Sequence, residues 1–204
     1  MVVIGITGSF GTGKSTVAEF FKQLGAVVLD ADALSREAVK PKKSAWRRIV
    51  KSFGRRVLNA DATINRRKLA DIVFKSSALR RKLEGIIHPQ VMRAIKRSVR
   101  EYRKKRSSPA LVLDVPLLFE ADAADWIDVL VVVTAPRRMQ LSRLKKKYGL
   151  TRKDLDLRIS AQMDLSAKAA LADAVVDNGG SVESTRKQVE RIWNQRVLRA
   201  AKRS

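Results

Sequence analysis

A chain of 204 residues, 45% of them apolar, is sized for one domain and can bury a sizeable core without covalent staples. It has no cysteine and one histidine, His88, which excludes disulfides, thiolate chemistry and a histidine-rich metal centre. The formal charge of +23, from 43 Lys and Arg against 20 Asp and Glu, points either to an anionic partner or to a solvated basic surface; the basic residues are spread over helical patterns and not gathered in one tail, which favours the second.

The apolar run Met1–Thr7 is too short for a signal peptide and lacks its basic flank, and no stretch approaches the roughly 18 apolar residues of a membrane span. A cytoplasmic protein without a membrane partner is expected. Short apolar runs alternate with helical patterns along the chain, the signature of a parallel α/β sheet. The predicted strands are Val2–Thr7, Ala26–Asp30, Ala110–Val115, Ile127–Thr134 and Ala174–Asp177. Their near-continuous Val, Ile and Leu content suits strands covered on both faces.

Directly after the first strand, Gly8-Ser9-Phe10-Gly11-Thr12-Gly13-Lys14-Ser15 matches the phosphate-loop pattern G-x-x-x-x-G-K-[ST]. The glycines allow turns that direct backbone N–H groups inward, and the helix that follows adds the partial positive charge of its N-terminus. Lys14 can reach β- and γ-phosphates, and the Ser15 hydroxyl can ligate Mg²⁺. The alternative is a glycine-rich strand–helix turn without a ligand. Val17, Phe20, Phe21 and Leu24 then fall on one face of a helix that Gly25 stops.

Asp30 and Asp32 follow the second strand. Two carboxylates one residue apart at the end of a parallel strand can divide the work of accepting a hydroxyl proton and orienting neighbours or metal, or either can simply cap a helix. Residues 31–108 contain no good strand and read as a helical insertion, broken at Pro41 and at Asn59–Asp61. Its last helix carries an apolar stripe, Val91, Ile95, Val99 and Tyr102, on an otherwise basic surface. Arg103–Ser108 and the tail Arg199–Ser204 are expected to be the loosest segments.

Asp114 closes the third strand, where a carboxylate can hold Mg²⁺ through water or cap the next turn. Between the last two strands, residues 136–172 form a helical segment dense in cations, including Arg137, Arg138, Arg143, Lys145, Lys146, Lys147, Arg152, Lys153 and Arg158. A lid that brings Arg or Lys onto a transferring phosphoryl group explains some of them; most are solvated charges. Val189, Ile192, Trp193 and Val197 mark a final apolar stripe. The expected organisation is a core of residues 1–30, 109–135 and 173–204, a helical substrate-binding part at 31–108 and a lid at 136–172.

These observations predict a P-loop kinase that moves the γ-phosphoryl of ATP onto a small anionic substrate, with a small-metabolite or nucleoside-monophosphate kinase on the same scaffold as the alternative to the acceptor named below. A GTPase is disfavoured because Thr151-Arg-Lys-Asp154 is not a guanine-reading segment, and an ATPase motor because Asp114 is followed by Val115 and not by Glu. A nucleic-acid-binding protein is the reading from another class: residues 40–56 and 93–106 each hold eight basic residues. No recognition motif accompanies them, so weak, salt-sensitive binding of polyanions is the most they predict.

Several segments together resemble the dephospho-coenzyme A kinase family, in the family's order and over nearly the whole chain. They are Ile6–Thr16, Asp30-Ala-Asp32, His88-Pro89, Leu113-Asp-Val-Pro-Leu-Leu-Phe-Glu120, Gln140-Leu-Ser-Arg143, Arg158-Ile-Ser-Ala-Gln162 and Asp177-Asn178. The resemblance implies a P-loop kinase fold, a five-stranded parallel sheet flanked by helices, with a helical substrate-binding insertion and a helical lid. It implies ATP and dephospho-coenzyme A as substrates, phosphorylation of the ribose 3′-hydroxyl in the last step of coenzyme A biosynthesis, and a monomer or small homo-oligomer. It implies an ATP site at Gly8, Gly11, Thr12, Gly13, Lys14, Ser15 and Thr16 with Arg143 and Arg158 from the lid side. The acceptor site falls to Asp30, Asp32, His88 and Leu117, and Mg²⁺ to Ser15 and Asp114. Asp32 is the implied base, with Lys14 and Arg143 as the catalytic cations. The chain departs from the family's usual loop, Gly-Gly-Ile-Gly-Ser-Gly-Lys, at Ser9, Phe10 and Thr12. It also has Lys147-Tyr148-Gly149 where the family tends to have Arg-Asp-Gly. A positive φ at Ser9 would strain the loop.

Overall fold

The computed structural model describes residues 1–105, 108–115, 126–149, 151–160 and 162–201. In chain order the elements are β1 (Val2–Gly8), α1 (Lys14–Gln23), β2 (Val27–Asp30), α2 (Ala31–Ala38), α3 (Ser44–Phe53), α4 (Arg66–Phe74) and α5 (Ser77–Lys105). They continue with β3 (Ala110–Asp114), β4 (Val129–Thr134), α6 (Arg137–Tyr148), α7 (Arg152–Ser160), α8 (Leu165–Ala170), β5 (Ala174–Asp177), α9 (Val182–Ile192) and α10 (Arg199–Ala201). The chain divides into two compact units, residues 1–29 with 99–204, and residues 30–98.

The first unit is built on a five-stranded sheet of order β2-β3-β1-β4-β5. β1 pairs in parallel with β3, Ile6 facing Asp114, and with β4, Gly8 facing Val133; β4 pairs in parallel with β5. Since β1 has strands on both sides that come later in the chain, the segment leaving its C-terminal end opens where the strand order reverses, the usual ligand crevice of such sheets.

The five predicted strands are all present, with ends shifted by at most two residues. Burial follows position in the sheet. β1 is buried throughout, whereas Val27 on β2 and Val175 on β5 are each 44% exposed, because those strands form the edges. The expectation of strands covered on both faces therefore holds for the centre only.

One face of the sheet carries Val2, Ile4, Ile6, Val112, Val131 and Val133. It packs against Val17, Phe20 and Phe21 of α1 and against Val189, Ile192, Trp193 and Val197 at the end of the chain. The stripes read from the 3.6-residue period are the faces that point inward. Phe21 and Trp193 meet with ring centroids 6.4 Å apart, and burying a side chain of the size of Phe21 stabilises by about 2–3 kcal/mol. After Ile192 the last helix widens into a π-helical turn, Trp193–Leu198, which keeps both Trp193 and Val197 on the buried side.

The second unit has its own core, in which Ala45, Ile49 and Phe53 of α3 meet Val57, Ile64, Leu69, Val73 and Ile86. The turn foreseen at Asn59–Asp61 is held by side chains: Trp46 Nε1 donates to the Ala62 carbonyl at 2.8 Å, and Asp61 accepts from Thr63. Asn65 caps α4 through the Lys68 N–H at 3.0 Å. Pro89 lies inside α5, where its ring leaves one backbone carbonyl of the helix without its donor.

Of the segment 103–108, expected to be among the loosest, the described residues 103–105 and 108 have defined contacts. Arg103, Lys104 and Lys105 complete α5, Arg103 pairs with Asp128 at 3.6 Å, and the Ser108 hydroxyl donates to the Gly25 carbonyl at 2.6 Å. Residues 106–107 and 202–204 lie outside the described residues. No described helix is long and apolar enough to cross a membrane.

Candidate nucleotide site

The loop Gly8–Gly13 links β1 to α1 and is tied to itself. The Thr12 hydroxyl donates to the Ser9 carbonyl at 2.9 Å and the Thr12 N–H donates to the same carbonyl at 3.3 Å. The Lys14 ammonium curls back over the loop, donating to the carbonyls of Gly8 at 3.1 Å and Ser9 at 3.2 Å. Ser9 is buried, and it is not among the residues of positive φ, so serine there carries no left-handed strain. The N–H groups of Gly11, Gly13 and Ser15 meet no protein acceptor among the described residues. Gly13 is the N-cap of α1 and offers no capping side chain, which leaves the helix end open to an anion.

Two glycines are required by close approach as well as by conformation. At Gly11, φ +82, an added Cβ would stand 2.9 Å from the Gln140 carbonyl and 2.9 Å from Leu144. At Gly13, φ +92, it would stand 2.1 Å from the Asn178 amide nitrogen. The loop is thus pressed against α6 on one side and against the turn after β5 on the other.

α6 and α7 join that packing. Phe10 sits on the cluster of Leu141, Leu144, Leu155 and Ile159, and its ring is 5.4 Å from that of Tyr148. Its backbone N–H donates to Gln162 Oε1 at 3.0 Å. Two departures from the family pattern, Phe10 and Tyr148, therefore touch each other. Buried Gln140 holds the start of α6 through the Ala135 carbonyl at 2.8 Å.

Arg143 projects from α6 to the loop. Its guanidinium donates to the Thr12 carbonyl at 3.2 Å and to the Asn178 carbonyl at 2.8 Å. Asn178, 6% exposed, donates its own amide to the Thr12 carbonyl at 2.8 Å, and the fully buried Thr185 hydroxyl donates to Asn178 Oδ1 at 3.0 Å.

The structure thus brings Gly8, Gly11, Thr12, Gly13, Lys14, Ser15, Thr16 and Arg143 together, with Asp114 at the end of the strand next to β1. Arg158 lies in α7. Leu117 lies outside the described residues. Asp30, Asp32 and His88 belong to the second unit. There Asp30 is the N-cap of α2: its Oδ1 accepts the Asp32 N–H at 2.7 Å and its Oδ2 pairs with Arg36 at 3.2 Å. The Asp32 carboxylate, exposed in the first turn, meets no hydrogen-bond or ion-pair partner among the described residues. His88 lies half-buried in α5, directly before Pro89.

Sequence reasoning quoted Gln140, Gln162 and Asn178 as parts of motifs without giving them work, and it missed Thr185. A polar residue on the stripe that continues through Val189 and Ile192 was the available signal.

The dephospho-CoA kinase family model matches residues 2–184. This chain belongs to the dephospho-CoA kinase family. It is 45% identical over 197 residues to a dephospho-CoA kinase of Geobacter metallireducens, covering 97% of this chain and 98% of that one. It is 41% identical to a dephospho-CoA kinase of Geobacter sulfurreducens, covering 96% and 99%. Among solved structures, a Thermus thermophilus protein superposes with a TM-score of 0.77 at 31% identity, covering 96% of this chain and 97% of the other. The dephospho-CoA kinase of Campylobacter jejuni gives 0.72 at 23% identity, covering 97% and 98%, and a shikimate kinase of Acinetobacter baumannii 0.54 at 14%, covering 98% and 94%. The last two establish the P-loop kinase fold alone.

Proposed function

We propose that this chain transfers the γ-phosphoryl group of ATP to the ribose 3′-hydroxyl of dephospho-CoA, giving CoA. The observation that carries the reading is a phosphate loop with N–H groups left for a ligand, inside a chain that matches the dephospho-CoA kinase family from residue 2 to 184.

The loop N–H groups and the N-terminus of α1 receive the phosphates of ATP. Lys14, already over the loop on the Gly8 and Ser9 carbonyls, exchanges those contacts for phosphate oxygens and follows the charge into the transition state. Arg143 keeps one guanidinium nitrogen on the Thr12 carbonyl and offers the rest of its fork to the same oxygens; Arg158 approaches with the lid, residues 136–172. Asp32 accepts the proton of the acceptor hydroxyl as the bond to phosphorus forms, while Asp30, committed to its cap and to Arg36, fixes the first turn of α2. His88 and Leu117 are assigned to holding the acceptor.

The protein oxygens suit Mg²⁺. The Ser15 hydroxyl and the Asp114 carboxylate are hard donors, and Asp114 Oδ1 is buried. No group of three or more His, Cys, Asp or Glu among the described residues could hold a metal alone, and Mg²⁺ takes one or two protein oxygens and completes its shell with phosphate and water. When bound with ATP it neutralises charge on the β- and γ-phosphates.

This reading carries a cytoplasmic location, a monomer or small homo-oligomer, and no specific nucleic-acid partner. An acceptor panel tests it: with ATP, dephospho-CoA is phosphorylated far better than AMP, CMP, gluconate or shikimate. Equal use of any of these leaves a P-loop kinase and removes the substrate assignment.

A further inference from the structure

The Thr12–Gly13 peptide is held from outside by two donors, Asn178 Nδ2 at 2.8 Å and Arg143 Nη1 at 3.2 Å, both on the Thr12 carbonyl. A trans peptide is planar, so its C=O and N–H point in opposite directions. Pulling the carbonyl outward therefore turns the Gly13 N–H toward the inside of the loop, where it meets no protein acceptor among the described residues. We infer that Asn178, set by Thr185, is a positioning residue that aims the Gly13 N–H at the phosphates of ATP. The inference rests on the kinase reading of the same loop.

The direction of the amide follows from its two neighbours. A carbonyl accepts only, so the atom facing Thr12 O must be the NH₂ group; the oxygen then faces the Thr185 hydroxyl, whose one proton has Asn178 Oδ1 at 3.0 Å and the Ser181 carbonyl at 3.2 Å as acceptors. All three residues are buried, with Asn178 6%, Thr185 0% and Thr12 0% exposed, so water does not substitute for any of them. Gly13 has no Cβ, and that is the space the amide occupies. The Asn178 backbone N–H is itself bonded to the Thr134 carbonyl at 2.8 Å, which ties the clamp to β4. Aspartate at 178 is nearly the same size but offers no donor to the Thr12 carbonyl and adds a negative charge beside the phosphates.

The test compares Asn178→Asp, Asn178→Ala, Thr185→Val and Thr185→Ser by calorimetric titration with Mg²⁺-ATP, by steady-state kinetics and by thermal melting. Asn178→Asp is expected to lower ATP affinity and kcat/KM for ATP by about 10- to 100-fold, the range for a buried partner left unsatisfied, with KM for dephospho-CoA unchanged within about twofold. Thr185→Val lowers the same quantities by about three- to tenfold, and Thr185→Ser, which keeps the hydroxyl, restores them. Folded Asn178 or Thr185→Val variants with normal ATP binding overturn the inference, as does a loss confined to the KM of dephospho-CoA. If Asn178 variants fail to fold, the Thr185 pair decides. The calorimetric arm needs no acceptor: a wild-type chain that binds ATP but ignores dephospho-CoA defeats the substrate assignment and leaves this clamp to be judged on ATP affinity alone.

Discussion

The Phe10 and Tyr148 rings stand 5.4 Å apart and tilted by 32°, joining the phosphate loop to the C-terminal end of α6. Phe10 also rests on Leu144, Leu155 and Ile159, so a residue of the nucleotide loop is a packing anchor for α6 and α7.

Phe10→Ala should cost about 1–2 kcal/mol, below the range for a fully buried Phe because this ring is half-buried. For a chain of this length the melting temperature falls by about 3–6 °C. KM for ATP rises with it, since the loop loses its anchor. Phe10→Ile, the residue usual in the family, restores most of both. A Phe10→Ala protein that melts and binds ATP like wild type shows that the stacking carries no weight.

Lys14→Ala removes the positive charge on which the transferring phosphoryl group depends, and turnover should fall by orders of magnitude. Thermal stability should change little, because the ammonium lies over an open loop, on the Gly8 and Ser9 carbonyls, and not in the core. Near-normal turnover in a folded Lys14→Ala protein is incompatible with the loop as a phosphate site.

The two carboxylates after β2 should separate cleanly. Asp32→Asn keeps the shape of an uncommitted side chain and removes its basicity, so kcat drops about a hundredfold or more while ATP affinity holds. Asp30→Asn keeps an oxygen for the Asp32 N–H and loses only the pairing with Arg36, an exposed contact of small weight. Kinetics of the two variants side by side check the assignment, and the reverse order of effects exchanges the roles.

Stability should fall at both ends of the pH scale for identifiable reasons. Asp164, which caps α8, is held below the usual carboxylate range by the Ser166 hydroxyl and then by the N–H groups of Ala167 and Ser166. The Thr63 hydroxyl does the same for Asp61, and Lys40 followed by Lys43 for Glu37. Depressed carboxylates stabilise the fold above their unfolded pKa values and lose that contribution as pH drops through the folded ones, so melting temperature declines below about pH 4. Burial pushes Tyr102 upward, against a weaker opposing effect of its bond to the Ser108 carbonyl. Its contribution is complete below about pH 10 and disappears as pH rises through the raised value. Melting curves against pH should show a flatter acid limb in Asp164→Ala and a flatter alkaline limb in Tyr102→Phe.

The sheet was legible because its strands are short apolar runs bounded by Gly and Asp, and the phosphate loop because its glycines and Lys14 have fixed spacing. Edge exposure of Val27 and Val175 was not, since composition is the same in a central and an edge strand and strand order is a tertiary fact. The clamp on Thr12 was hidden for a related reason. Asn178 lies 166 residues along the chain from Thr12, and its role with Thr185 appears only when β5 and α9 are folded against the loop. Asp30 and Asp32 both offer a capping carboxylate in the sequence, and which one caps α2 is decided by backbone geometry: Asp30 is extended at φ −90 and Asp32 lies in the first turn of the helix. The segment 103–105 looked loose because a run of Arg and Lys is uninformative about a helix end, and the contact with Asp128 that secures it comes from a distant part of the chain.

The most direct measurement of the central claim is product analysis. The purified chain is incubated with γ-labelled ATP, Mg²⁺ and dephospho-CoA, and the product is separated and its phosphate located. The account predicts stoichiometric conversion to CoA with the label on the ribose 3′-oxygen. Label released as free phosphate, or carried at any other hydroxyl, would contradict it.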